Sequence, residues 1–569
     1  MRPSFRTTSG VLCLLLLACA QVAAQRLEQF DRSTPIALSG SLSIGTSVYQ
    51  AQGIANRRSP FAYYITAAPV ITLYGFDVPL SFTYRDQQGS LSSPFNRFSI
   101  NPSYKWISLQ LGNTSIQWHP YALSGQIIKG AALELTPGVF RLAATFGTLE
   151  NPLTQIDTLV EGAELLPSYR RQAMAVKLGV GKGNNFIDLT AFRAKDDLTS
   201  VSHLSIRTDL VKPEENLVLG LSMGISPVKL LTIRGNVAAS ALTSNQEALG
   251  ILDENADPAL IRLNELFTLN ISSKLQFAGD VSADLNFKNI GFGGQYKRVD
   301  PAYKSLGTYY FQEDYENYTL KLRLNLWKNR LTFNGQGGIQ RNNLNGLRKY
   351  TNTRKIANLN VSVRPFTFFT VNGRFANFQD DQTPGLLNID DTIRLARATT
   401  SYGLVPRFQF GSGQYVSTLA LSANYQELND LNALGEVRQQ ILNYNAAINY
   451  NLMIKPADLQ VAWSILGTQN EFADRQSTRI GGSFSLKKRF FDRQLSVRPS
   501  AGYFENFLNS NPDGNTLTTR LSLEYRKKQA FTIGLDGNVV FRNAPDRKYQ
   551  EYRGTAKFSY YLPSKKSTK

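Results

Sequence analysis

Segments of about ten residues in which apolar and polar side chains alternate run through most of this 569-residue chain. A pattern of period two buries its apolar set only as one face of a sheet. Tyr318, Leu320, Leu322, Leu324 and Leu326 share one face, and Thr319, Lys321, Arg323 and Asn325 the other. A turn at 327–330 (Trp-Lys-Asn-Arg) leads to Leu331, Phe333 and Ile339, set against Thr332, Asn334, Gln336 and Gln340. Ala357, Leu359, Val361 and Val363 alternate with Asn358, Asn360, Ser362 and Arg364; Phe369, Val371 and Phe375 then face away from Thr370, Asn372 and Arg374. Near the C-terminus Leu517, Leu521, Leu523 and Tyr525 alternate with Thr518, Arg520, Ser522, Glu524 and Arg526. Helical periodicity is nearly absent. The length alone suits three or four soluble domains, but no linker, charge block or change of texture interrupts residues 36–562. One large, uniform all-β architecture is expected.

The connections decide which one. Long polar stretches fall near 49–61, 86–96, 119–126, 149–170, 196–213, 241–261, 298–314, 342–354, 379–395, 428–437, 469–477, 505–515 and 543–550. Short ones fall near 75–79, 104–107, 136–138, 181–184, 225–229, 278–281, 327–330, 364–367, 407–413, 453–457, 487–493 and 526–529. Long and short alternate, which predicts a single up-and-down antiparallel barrel of 26 strands with both ends on the short-turn side. Alternation is weakest over 97–136 and 262–297, which leaves 24 open. A soluble sandwich or propeller would use short loops at both ends. It would also not place aromatic residues at the strand ends, as in Tyr74, Phe76, Tyr104, Trp106, Trp327, Phe366, Phe368, Phe490 and Phe491, where a membrane barrel carries its girdle.

Residues 1–24 have the form of a secretory signal: Arg2 and Arg6, an apolar run at 11–20, then Val22-Ala23-Ala24. Cleavage after Ala24 is the expectation; the alternative is a lipobox at 16–19 that makes Cys19 the lipidated residue. Cys13 and Cys19 are the only cysteines. With them removed, disulfides and thiolate metal sites are excluded. Residues 25–35 read as a short periplasmic segment, 36–562 as the barrel and 563–569 as a basic tail.

In the last segment Tyr552, Gly554, Ala556, Phe558, Tyr560 and Leu562 form one face, with Arg553, Thr555, Lys557 and Ser559 opposite. This stretch resembles the C-terminal signal, here Gly554, Phe558, Tyr560 and Leu562, read by the barrel-assembly machinery. The chain as a whole resembles the large outer-membrane β-barrels of Gram-negative bacteria. Its Tyr- and Asn-rich texture, with the stretch 298–311 (Arg298-Val299-Asp300-Pro301-Ala302-Tyr303 to Tyr309-Tyr310-Phe311), is similar to Bacteroidota-type barrels. The resemblance implies an integral outer-membrane location, contact with lipid and lipopolysaccharide, and no particular activity.

Chemistry is scarce. His119 and His203 are the only imidazoles, each near a loop, and no triad surrounds them. Gly179-Val180-Gly181-Lys182-Gly183 has the glycines of a phosphate loop without the helix that must follow them, so it reads as a hairpin turn. Asp380, Asp381, Asp390 and Asp391 share a loop that reads as solvated charge rather than as a calcium site. No cofactor, metal or enzymatic activity is expected. The net charge of +19 suits lipopolysaccharide phosphates or an anionic cargo better than nucleic acid.

What the expected fold implies is more informative. Strands about 4.8 Å apart and tilted by about 40° each take up about 6.3 Å of circumference, so 26 give a circular diameter of about 50 Å. Such a lumen needs an occluder. A plug domain of the TonB-dependent type is not expected, because the first strand begins near Ile36. The expectation is a conduit for a polar, anionic solute or macromolecule; the alternative is a non-conducting accessory barrel that docks a lipoprotein or surface partner. Lys321, Arg323, Arg364, Arg374, Lys487, Arg498, Arg520, Arg526, Arg542, Arg553 and Lys557 are expected to line the lumen, against Glu524 and Asp536. The loop with Arg298, Asp300, Tyr303, Tyr309, Tyr310 and Phe311 is the expected internal occluder, packed on a wall of Arg and Asn. A separate plug or lipoprotein is the other candidate.

Overall fold

The computed structural model describes residues 36–562 apart from 75, 87–96, 153–167, 202–210, 252–263, 310–311, 387–395, 412, 431–439 and 528–529. The expected signal segment, the 25–35 segment and the basic tail lie outside the described residues, as do His203, Asp390, Asp391, Tyr310 and Phe311.

The strands, in chain order, begin with β1 (Ile36–Gln52), β2 (Phe61–Leu73), β3 (Phe76–Arg85), β4 (Arg97–Ile100), β5 (Ser103–Tyr104), β6 (Ile107–His119), β7 (Leu123–Leu135), β8 (Phe140–Glu150) and β9 (Arg170–Lys182). They continue as β10 (Asn185–Asp197), β11 (Glu215–Val228), β12 (Leu231–Thr243), β13 (Ser273–Asn286), β14 (Ile290–Val299), β15 (Tyr315–Leu326), β16 (Leu331–Asn342), β17 (Tyr350–Phe366) and β18 (Phe369–Pro384). The last are β19 (Ala396–Phe410), β20 (Tyr415–Asp430), β21 (Gln440–Ile454), β22 (Leu459–Phe472), β23 (Arg475–Phe490), β24 (Leu495–Leu508), β25 (Asn511–Lys527), β26 (Phe531–Asn543) and β27 (Lys548–Leu562). Each pairs antiparallel with the next, except that β4 and β5 each pair with β3 and β6, and β1 pairs with β27 from Gly40↔Leu562 to Gln52↔Gln550, so the sheet is closed. β4 and β5 are two pieces of one crossing between β3 and β6, interrupted at Asn101-Pro102, and the barrel therefore has 26 strands. Closure leaves neither end strand of the sheet with a free edge.

Cross-strand partners share a face, so the register carries the in/out alternation around the whole wall. The apolar set that includes Ile44, Leu219, Phe292, Leu320, Val361, Leu404, Ile465, Leu521 and Phe558 faces outward, and large members of it are bare, Leu320 at 73%. Aromatic pairs gather at the short-turn end: Phe76 with Tyr104, Phe366 stacked on Phe368 at 5.4 Å, and Phe369 on Phe408 at 4.6 Å.

Four connections differ from the sequence reading. Residues 278–281 continue β13, paired on both sides, and the turn falls at 287–289 instead. Gly279-Asp280 looks like a turn locally, but two ladders outweigh local preference. The expected long loops at 469–477 and 505–515 are two-residue hairpins at 473–474 and 509–510, because β22 to β25 run on as polar strands. The stretch 119–126 is a three-residue turn, 120–122, at the tip of a buried hairpin.

Candidate functional site in the lumen

The β6–β7 hairpin leaves the wall. β6 pairs with β4 only as far as Gly112, and β7 pairs with β8 only from Lys129 onward, whereas the two stay paired to each other out to His119↔Leu123. Residues 113–128 are thus a two-stranded ribbon with no neighbouring strand among the described residues. The bend lies at the directly paired Gly112 and Gly130. Gly112 has φ +93°, and a Cβ on Gly130 would run into the carbonyl of Phe146, so neither place admits a side chain.

The ribbon turns into the barrel. Tyr121 Oη donates to Asp280 Oδ1 of β13 at 2.7 Å, and His119 Nε2 lies 3.4 Å from Leu221 O of β11. A hairpin rooted between β4 and β8 reaches β11 and β13 only across the concave side. Its seat is a cross-strand row on the inward face from β8 to β14: Ala143, Lys177, Thr190, Gly220, Ala238, Ala278 and Val299. Small residues make the room; a Cβ on Gly220 would stand 2.8 Å from the His119 ring. Ile116, Trp118, Tyr121, Leu123 and Ile128 bury their side chains here in one cluster with Phe192, Val218 and Val299. Each such burial is worth about 1.5–3 kcal/mol. Trp118 is further held by a 2.7 Å hydrogen bond to Glu134 and by Lys177 over its ring.

The β14–β15 connection lies across the ribbon tip. Tyr303 Oη donates to Tyr121 O at 2.8 Å, Ser305 Oγ to Ala122 O at 2.7 Å, Ser124 N to Gly307 O at 3.0 Å and Gln126 Nε2 to Thr308 O at 3.2 Å. It is tied to the wall by Leu306 N donating to Asn216 Oδ1, Ser240 Oγ donating to Lys304 O, and a 2.5 Å Lys304–Glu214 ion pair. Burial raises the Tyr303 phenol above the ordinary tyrosine range, so its hydroxyl stays a donor. Of the residues expected to form the occluder, Tyr303 is 1% exposed and Tyr309 82%. Arg298 shares a register position with Glu316 and pairs with Asp300, on the face opposite inward Lys297 and Val299. The wall beneath carries Ala, Gly, Ser, Thr and Asn with Lys177, Phe192, Val218 and Val299, where a wall of Arg and Asn was expected.

The other arc carries the charge. Register puts Lys321, Arg323, Arg364, Arg374, Arg498, Arg520, Arg526, Arg542, Arg553 and Lys557 on the inward face of β15 to β27, and the β23 alternation adds Lys487. Arg520 pairs with Asp536 at 2.7 Å and Arg526 with Glu524 at 2.9 Å; among the described residues the remainder form no ion pair. Gly554, Phe558, Tyr560 and Leu562 lie on the outward face of β27, next to β26 and β1. The glycines at 179–183 end β9 in a hairpin turn with Gly183 at φ +59°. Asp380 pairs with Arg354, and no group of three or more potential metal ligands occurs among the described residues.

Sequence reasoning missed the ribbon and its seat. The available signal was on β9 to β13, where inward positions hold Ala173, Ala175, Thr190, Ala194, Gly220, Ala238 and Ala278 instead of the long polar side chains of β15 to β27.

No family model matches the chain, and no curated protein does. Among solved structures, the translocation pore of the P pilus usher PapC is 11% identical, covering 92% of this chain and 99% of that one, with a TM-score of 0.36. An E. coli P pilus tip assembly intermediate, PapC-PapD-PapK-PapG, aligns at 11% identity over 92% of this chain and 60% of that one, with a TM-score of 0.44. Acinetobacter baumannii OccAB2 aligns at 12% identity over 62% of this chain and 93% of that one, with a TM-score of 0.29. At these identities and scores the resemblance carries no assignment.

Proposed function

We propose that the chain is an integral outer-membrane barrel that conducts polar, anionic solutes or polymers along the arc β15 to β27. The carrying observation is the asymmetry of its inward face: small residues occupied by a ribbon on one arc, and a mostly unpaired basic wall on the other. At about 3.3 Å per residue the ribbon reaches roughly 25 Å, about half of a circular lumen near 50 Å wide. It leaves the basic arc free. A low-dielectric wall of one sign concentrates counter-ions and sets selectivity. The bare apolar outer face fits lipid, with lipopolysaccharide at the loop end, and the outward face of β27 fits a signal for the assembly machinery.

In a planar bilayer with a salt gradient, the purified protein should show a reversal potential of anionic sign. Changing Lys487 and Arg498 together to Glu should move that potential toward zero without altering heat-modifiable mobility. Cation preference in the unaltered protein would overturn the anionic reading. Silence with a co-purifying lipoprotein would favour an accessory barrel.

A further inference from the structure

We infer that the ribbon 113–128 is a displaceable gate and that the β14–β15 segment 300–309 is its latch. The inference rests on the conduit reading and adds to it the moving part. A permanent piece of wall would join the ladder, whereas among the described residues this ribbon, 113–128, pairs with no barrel strand. Among the described residues, side chains and the latch hold it to the opposite arc.

The latch contacts are of a kind that water can replace. Tyr303, Ser305 and Thr308 reach the backbone of Tyr121 and Ala122 and the side chain of Gln126, and Ser124 and Thr308 form an isolated bridge. The seat offers the ribbon small side chains, the apolar contacts of Phe192, Val218 and Val299, and a few polar partners, among them Asp280, itself also bonded to Asn236. The root is flexible where it must be, because its paired glycines carry no side chain to jam the bend. Since the latch joins β14 to β15 at the loop end, release is controlled from that end. Swinging the ribbon off its seat uncovers the row from Ala143 to Val299 and widens the path beside the basic arc.

The test uses the full-length protein in planar bilayers, with Ser124→Cys and Thr308→Cys as a disulfide lock; the described residues contain no other cysteine. The pair should oxidise readily and hold the pore in its low-conductance state, and a reductant should restore larger steps. Separately, the latch variant Tyr303→Phe with Ser305→Ala should speed thiol labelling of a reporter Ala122→Cys, which is fully buried, by at least tenfold, equivalent to about 1.4 kcal/mol. Failure of the pair to oxidise in the folded barrel would overturn the latch. Identical conductance in oxidised and reduced forms, with labelling unchanged, would show a fixed ribbon and leave the conduit reading standing. Absence of conductance even after residues 113–128 are replaced by a short Gly-Ser turn, in a barrel that still assembles, would overturn conduit and gate together.

Discussion

Leu322→Arg should block assembly of the barrel, while Arg323→Leu, one residue further along β15, should leave it folded. The two side chains point to opposite sides of the same strand, Leu322 opposite Phe292 on the bare outer face and Arg323 opposite Gly291 and Asn334 on the inner one. An arginine near the middle of a lipid-facing surface costs about 2–4 kcal/mol. Arg323 gives up only an exposed 3.2 Å hydrogen bond to Asn286, a loss of about 1 kcal/mol or less. Folded fraction can be read by heat-modifiable mobility after refolding into lipid vesicles. Equal yields for the two variants would reverse the inside-out assignment.

The second large effect is expected at the ribbon's root. Gly130→Val places a branched side chain against the carbonyl of Phe146 and the Cα of Gly147, both backbone atoms that cannot turn aside. Overpacking of this kind costs about 1–3 kcal/mol or more, and the strain falls on the bend, since β7 from Ala131 to Leu135 is held by strands on both sides. The ribbon should therefore leave its seat while the barrel stays closed. Trp118 and Tyr121, 8% and 2% exposed in the seated ribbon, then become accessible. Chymotrypsin added to outer-membrane vesicles should cut the variant within 113–128 and spare the unaltered protein. Gly537→Ala, where an added Cβ meets nothing within 4 Å, serves as the control. Resistance of Gly130→Val to cleavage would mean that the bend tolerates side chains and that the ribbon is held by more than its root geometry.

Local alternation was enough to bring the strand number to 26 or 24 and to assign the central residues of β15 to β18 and β25 to β27 to a face, because a strand's side-chain period is set by its own backbone. It misplaced the turn at 278–281, where Ala-Gly-Asp carries turn chemistry but the neighbours Asn236 and Lys297 hold Asp280 in the ladder. It read 469–477 and 505–515 as loops because strands that extend beyond an apolar belt alternate between two kinds of polar residue and lose the signal. The ribbon was hidden for a related reason. Ile116, Trp118, Tyr121 and Leu123 sit in a weakly alternating stretch, and their burial partners lie on strands up to seven crossings away.

The sequence by itself determined an all-β chain of 26 or 24 crossings, an apolar outer face and a basic inner arc, since each of these is written in side chains two residues apart. Only the register between strands decided that Ala143, Thr190, Gly220, Ala238 and Ala278 stand in one row, because the row runs across strands and its members are separated by whole hairpins. That row makes a seat, and the seat makes the 113–128 hairpin fold inward, burying apolar rings that the water-filled side of a barrel would otherwise leave exposed.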